Sequence, residues 1–412
     1  MTKRVVLLII IALAPQFVAA APISVHADFE GGALGKIIQV SERHFRCGVK
    51  GESDHEGRNR QANWYYFRVD GAKDQSLTID LIDLQGEYNY RPNRGAVTGD
   101  TLPWYSGDDS HWRPIESAEY QPGTPLLRIR LTPRANKIWI AHVPPYTNQR
   151  LQRLLGEFKK HPALRQEVVG RTVQGREMLL LTITDERTPA SQKKVIWLMF
   201  RQHSWEAGSS VAGEGALRFL LSADPVAAQM RRTTIIKIFP LCDPDGVARG
   251  GVRFNAHGFD LNRHWDAVDE ARMPEIAAQR KAILDWFDAG QRVDLFLTLH
   301  NTETLEYLEA PPESYAPDKG YGSLTQRFFR LLSESKTFAP TRPPQSTADS
   351  TTPGKPGRMT VIQGLYQDRK LPAFLIEQMI TRHPKLGRQP TPEDRQQFGA
   401  DLVRAMWRAV MP

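Results

Sequence analysis

The chain of 412 residues contains only two cysteines, Cys47 and Cys242. No disulfide framework can therefore hold it together, and its stability has to come from buried apolar side chains. Both cysteines read as small buried hydrophobes. No apolar run reaches the roughly 20 residues needed to cross a bilayer. The longest, residues 5–13, follows Lys3 and Arg4 and precedes the small residues Val18, Ala19 and Ala20. That is the pattern of a cleaved secretory leader over residues 1–20, with no cysteine nearby to carry a lipid anchor. Excess charge of one sign is also scarce. Loss of Lys3 and Arg4 with the leader lowers the formal charge from +8 to +6, and no basic block with interleaved aromatics remains. Nucleic-acid binding and stable membrane insertion are thus excluded as expectations, while a mild positive balance suits a site that attracts carboxylates. The chain shows no internal repeat.

What is present divides in two. Over residues 27–145 the apolar positions alternate in short runs at 64–69, 77–81, 127–131 and 138–140, separated by Gly, Pro, Asn and Asp. Such spacing predicts an antiparallel β-sandwich, closed by Pro144 and Pro145. Over 146–412 compact apolar runs at 195–200, 235–239, 293–299 and 374–376 alternate with helical stretches at 209–222, 269–289 and 321–334. This rhythm predicts an α/β domain, a mixed, mostly parallel sheet flanked by helices. The last helix is marked by Thr391 as N-cap, Pro392 at the first position, Glu393 and Asp394 in the first turn, and Phe398, Leu402, Met406 and Val410 along one face. The stretch 339–357, rich in Pro, Ser and Thr, reads as a long loop.

Each apolar run of the second part ends in residues capable of chemistry. Phe200 is followed by Arg201, Gln202, His203, Ser204, Trp205 and Glu206, and Phe239 leads into Asp243-Pro244-Asp245-Gly246. Leu299 is followed by His300, and Ile376 by Glu377. In an open α/β sheet ligands bind beyond the carboxyl ends of the strands. His203 and Glu206 in one turn, joined by His300 from another strand end, make the two-imidazole, one-carboxylate set that catalytic zinc requires, with a fourth position left for water. Carboxypeptidase A is a standard instance of that set. Glu377, desolvated at a strand end, is a candidate for taking a proton from water and passing it to a leaving amine. Residues 253–265 add fixed arginines and amides suited to binding a carboxylate and polarising a carbonyl. The same residues also fit a satisfied loop histidine, a glutamate paired with arginine, and a solvated salt-bridged loop.

In order and spacing, residues 200–265 resemble the zinc carboxypeptidases of the carboxypeptidase A/B type, and within them the cytosolic-carboxypeptidase-like branch. The likeness lies in Arg-x-His-x-x-Glu, Pro-Asp-Gly-Val, and Arg-x-Asn-x-x-Gly-x-Asp-Leu-Asn-Arg-x-Trp. The aromatic run at 64–69, with Trp104, Tyr105, Tyr146 and Thr147, resembles the β-sandwich that precedes the catalytic domain in that branch. The resemblance implies a metallocarboxypeptidase acting on the C-terminus of a peptide or protein. It implies one zinc ion held by His203, Glu206 and His300, with Glu377 as general base and acid. It also implies that Arg253 stabilises the oxyanion and that Asn262 and Arg263 hold the terminal carboxylate. The chain departs from the branch at Ser204-Trp205, where Pro-Gly is usual, at Asp243 in place of Asn, and at Asn301-Thr302 after the last ligand. Tyr366 is a candidate for the substrate-contacting tyrosine of the classical enzymes. Two alternatives stay open: a zinc amidase or deacylase acting on acyl-amino acids or cell-wall peptides, and a non-catalytic peptide- or glycan-binding relative.

Overall fold

A computed structural model describes residues 22–311, 320–347 and 356–411. The expected leader, part of the loop at 339–357, and residues 312–319 lie outside the described residues. No described helix is long and apolar enough to cross a membrane.

The N-terminal part is a sandwich of two five-stranded sheets. One runs in the order Ser24–His26, Tyr66–Asp70, Lys137–Ala141, Trp104–Ser106, Arg113–Pro114. The other runs Glu119–Gln121, Leu126–Leu131, Leu77–Ile82, His44–Gly48, Ile37–Ser41. Alternation dictates the layers: Phe67 and Val69 from one sheet meet Leu77, Ile79, Leu81, Leu127 and Ile129 from the other in a single buried cluster. All pairs are antiparallel except one. His44–Gly48 lies parallel to Leu77–Ile82 because the chain crosses to the opposite sheet through Tyr66–Asp70 before it returns. Arg128 grips Asp80 with two bonds, Nε to Oδ1 at 2.6 Å and Nη2 to Oδ2 at 2.8 Å, in a site where Asp80 is almost wholly buried. A small third sheet, Glu52–Ser53, Arg60–Gln61, Gly86–Tyr88 and Arg91–Asn93, projects from the sandwich towards the second part.

The second part is built on an eight-stranded sheet. Its order is Leu164–Arg171, Glu177–Ile183, Thr234–Phe239, Lys194–Phe200, Leu295–Thr302, Ala373–Met379, Tyr307–Ala310, Gln345–Ser346. The four strands that read as continuous apolar runs are the parallel centre. Their side chains are buried on both faces, which is why they do not alternate. The hairpin Leu164–Arg171 with Glu177–Ile183 forms one antiparallel side, and Tyr307–Ala310 pairs antiparallel with Ala373–Met379 on the other. The helices Ala207–Leu220 and Pro392–Val410 cross closely on one face. A Cβ on Gly399 would stand 1.8 Å from the Ala212 carbonyl oxygen, and one on Gly215 would stand 2.0 Å from that of Gln396, so only glycine permits the approach. The terminal helix starts with a capping box: Thr391 accepts from the Asp394 amide, and Asp394 accepts from that of Thr391. With the sheet so arranged, His203, His300 and Glu377 all fall at or just beyond the carboxyl ends of adjacent central strands.

Candidate active site

After Phe200 the chain turns sharply. Arg201 adopts φ +63°, a left-handed conformation that costs a non-glycine residue about 1–2 kcal/mol. Its buried guanidinium holds the turn by donating to the Ser204 carbonyl from Nε (2.8 Å) and Nη2 (2.6 Å), while its amide donates to Ser209 Oγ. The turn aims His203 and Glu206 at one point, and His300 reaches that point from the next strand. His203 Nδ1 lies 2.7 Å from Glu206 Oε1, His300 Nδ1 lies 3.0 Å from Glu206 Oε2, and the two Nδ1 atoms are 3.3 Å apart. All three residues are buried.

The outer ring nitrogens are engaged elsewhere. His203 Nε2 meets Asp260 Oδ1 at 3.0 Å, and His300 Nε2 meets Gln202 Oε1 at 3.0 Å. Gln202 is itself fixed, accepting from Thr298 Oγ1 and donating to the Leu261 carbonyl. Nε2–H bonds to these oxygens leave both Nδ1 lone pairs facing a carboxylate whose Oε2 has no hydrogen-bond donor. Lone pairs and a carboxylate crowded this way repel one another unless a cation sits between them, so the donor set fits a divalent ion, and its nitrogen and oxygen composition fits zinc. Burial lowers the pKa of His300, which favours the neutral imidazole that a ligand must be. At His203 burial and Arg253 push the same way, but Glu206 and Asp260 outweigh them and hold the group above its ordinary value. Burial raises Glu206, yet the two histidines hold it below the usual carboxylate range.

Glu377 is the register partner of His300 in the parallel pair, so the two side chains project to the same face. Its Oε2 is buried without a partner. Burial, and then the like charges of Glu206 and Glu309, raise its pKa well above the carboxylate range, against the opposing pull of Arg253. Arg253 donates through Nε to Asp260 Oδ2 at 2.7 Å. One carboxylate therefore joins a candidate metal ligand to this arginine. Asn262 Oδ1 accepts the Val361 amide at 3.0 Å, which leaves its Nδ2 as the available donor. Arg263 Nη1 donates to the Asn262 carbonyl. Arg253, Asp260 and Arg263 line a cleft of about 710 Å³ whose other wall is His55, Arg58 and Tyr88 of the N-terminal part. A larger cavity of about 1060 Å³ along the helix Asn148–Glu157 contains none of these residues, so size alone does not locate the site.

Gln202 and Asp260 are the functional residues that the sequence left unassigned. Each stands inside a quoted motif, but its partner is 98 or 57 residues away, and nothing local signals the contact. The departure at Asp243 has a physical account. Burial, opposed by Arg249 and the Gly246 amide, raises its pKa to about 8, so at neutral pH it is largely a neutral acid offering one acceptor and one donor as asparagine does.

The zinc carboxypeptidase family profile matches residues 151–319, and the profile of the cytosolic carboxypeptidase N-terminal domain matches residues 25–143. A Zymomonas mobilis protein of uncharacterised function is 27% identical over 92% of this chain and 95% of its own length. Mouse cytosolic carboxypeptidase 6 is 27% identical over 68% of this chain, which spans about half (53%) of the mouse protein. The crystal structure of a metallo-carboxypeptidase from Burkholderia cenocepacia superposes with a TM-score of 0.78 at 24% identity, over 94% of this chain and 99% of that one, a likeness of fold. With both profiles matched one after the other along a chain of this architecture, the chain belongs to the zinc carboxypeptidases, peptide-bond hydrolases that use one zinc ion, and it carries the N-terminal domain of their cytosolic branch.

Proposed function

We propose that the chain releases the C-terminal residue of peptides or proteins, with zinc held by His203, Glu206 and His300. The observation that carries this is the convergence of those three donors on the strand-end face that Glu377 shares, with His203 bonded to Asp260, which lines the cleft beside Arg253 and Arg263. Zinc supplies a Lewis acid that polarises the carbonyl and makes water easier to deprotonate. Glu377, whose proton affinity burial and its neighbours raise, takes the proton from the attacking water and passes it to the leaving nitrogen. Arg253 carries negative charge developing on the carbonyl oxygen. Asn262 Nδ2 and Arg263 bind the free carboxylate, which confines cleavage to the last bond.

Several finer readings belong with this one. The cleft presents Arg58, Arg263 and Arg358, which supports acidic terminal side chains. The basic, apolar and small-residue pattern of residues 1–20 supports export to the periplasm or beyond. The test is release of free amino acid from a panel of peptides differing at the last residue, with and without chelator. Turnover that survives complete zinc removal refutes the proposal. Faster cleavage of acyl-amino acids or cell-wall peptides selects the amidase reading, and zinc-loaded protein that binds peptides without cleaving them selects the non-catalytic one. Detection of the intact leader on protein from the cytoplasm alone refutes export.

A further inference from the structure

The N-terminal part reaches the active-site region through one carboxylate. The backbone N–H groups of Val252 (2.8 Å), Arg253 (2.6 Å) and Phe254 (2.9 Å) all donate to the same oxygen, Oε2 of Glu52. Three successive amides aimed at one spot form a concave anion site. Here it is filled by a side chain some 200 residues away in sequence. The other oxygen, Oε1, pairs with the guanidinium of Arg249, which in turn donates to the Phe254 carbonyl. Gly251 belongs to the same knot, since a Cβ there would lie 2.8 Å from Arg249 Nη1 and 3.0 Å from Glu52 Oε1. On its other edge the segment is tied to the metal-ligand turn, with the Val252 carbonyl accepting the Trp205 amide at 2.9 Å.

We propose that Glu52 is a positioning residue for catalysis: by gathering the amides of 252–254 it sets the backbone from which Arg253 projects, so that the N-terminal domain takes part in turnover. This rests on Arg253 acting as the oxyanion group. Without Glu52, three partly buried N–H groups and Arg249 lose the carboxylate they share, and the segment relaxes towards whatever water can reach it. Arg253 stays tethered to Asp260 through Nε but on a displaced backbone. A shift of about 1 Å in such a group is enough to cost up to about a hundredfold in rate. Simple adhesion between domains predicts something different. Glu30 also crosses between the two parts, accepting the amides of Asn148 (3.0 Å) and Gln149 (3.4 Å), but it touches nothing in 252–254.

The experiment uses full-length, zinc-loaded protein and measures kcat and KM on a cleaved peptide for Glu52→Ala, Glu52→Gln, Glu30→Ala, Arg253→Ala and the double variant Glu52→Ala/Arg253→Ala. The expected result is a kcat lower by about tenfold or more in Glu52→Ala, with KM and zinc content little changed. Glu52→Gln, whose amide oxygen still accepts the three N–H groups while its NH2 faces Arg249, recovers part of the loss, and the double variant is no slower than Arg253→Ala. If Glu52→Ala does not fold, Gly251→Ala, whose Cβ wedges between Arg249 and Glu52, carries the same comparison with and without Arg253. The proposal is overturned if kcat in Glu52→Ala stays within about twofold of the parent, if the two losses multiply in the double variant, or if Glu30→Ala loses as much. Full kcat in Arg253→Ala instead overturns the oxyanion role beneath it, and the proposal with it.

Discussion

Asp260 bonds both to His203, a proposed zinc ligand, and to Arg253, the proposed oxyanion group, and replacing it should separate the two duties. Its Oδ1 accepts from His203 Nε2 at 3.0 Å and from the Asn262 amide at 2.9 Å, and its Oδ2 accepts from Arg253 Nε at 2.7 Å. In Asp260→Ala the imidazole of His203 loses the partner that fixes its tautomer and keeps Nδ1 free for the metal. Losing such an outer partner lowers metal affinity by about 10–100-fold, or about 1.4–2.7 kcal/mol. Asp260→Asn behaves differently. Its amide oxygen can still accept from His203, whereas its NH2 group faces Arg253 Nε, donor against donor. Zinc affinity should then stay within about threefold of the parent while kcat falls by at least about tenfold. Competition titration of metal-free protein against a chromogenic chelator reads the first quantity, and initial rates at saturating zinc read the second. A zinc Kd unchanged in Asp260→Ala would mean that the outer contact does not govern how His203 holds the ion. Equal loss of affinity in both variants would refute the proposed division of labour.

Other expectations follow from the same geometry. Glu377→Gln should keep its zinc, read by metal analysis, and lose at least about a hundredfold in turnover; near-normal turnover would remove Glu377 from the mechanism. Gly399→Ala forces a methyl to within 1.8 Å of the Ala212 carbonyl oxygen and should cost about 3 kcal/mol. Gly156→Ala, with open space around it in the helix Asn148–Glu157, should stabilise by about 0.5–1 kcal/mol, and urea midpoints of the two variants should move in opposite directions. Burial pushes Asp80 up, but the bonds from Arg128 and His44 overcome it and hold the carboxyl below its usual range. The stabilisation is therefore complete above about pH 4 and is lost as pH falls through the depressed value. Arg128→Met should cost about 2–3 kcal/mol at pH 7, less than the figure for a fully enclosed pair because Arg128 reaches water. A cost as large at pH 2 as at pH 7 would contradict this.

The central strands, and the donors that the structure brings together at their ends, were legible in the sequence for one reason. A strand buried on both faces must be apolar throughout, so the polar residue that ends it stands out, as His203, His300 and Glu377 do. The capped terminal helix was legible because Thr391, Pro392 and Asp394 act within one turn. The edge hairpin Leu164–Arg171 with Glu177–Ile183 was not, since its exposed strand mixes Arg, Gln, Glu and Val without a clear period. The parallel pairing of His44–Gly48 with Leu77–Ile82 depends on a crossover that no local pattern encodes. Gln202, Asp260 and Glu52 bond to partners far along the chain, where only the fold supplies proximity.

The two kinds of support beneath the ligands have a kinetic consequence. His300 lies in a strand bonded on both sides, to Lys194–Phe200 and to Ala373–Met379, whereas His203 and Glu206 occupy the turn that follows Phe200. Opening the backbone at His300 means parting the middle of the sheet, an event with a free energy near that of global opening, whereas opening the turn at 201–206 breaks no sheet ladder. Amide hydrogens around residue 300 should outlast those of 202–206 by a wide margin in deuterium labelling.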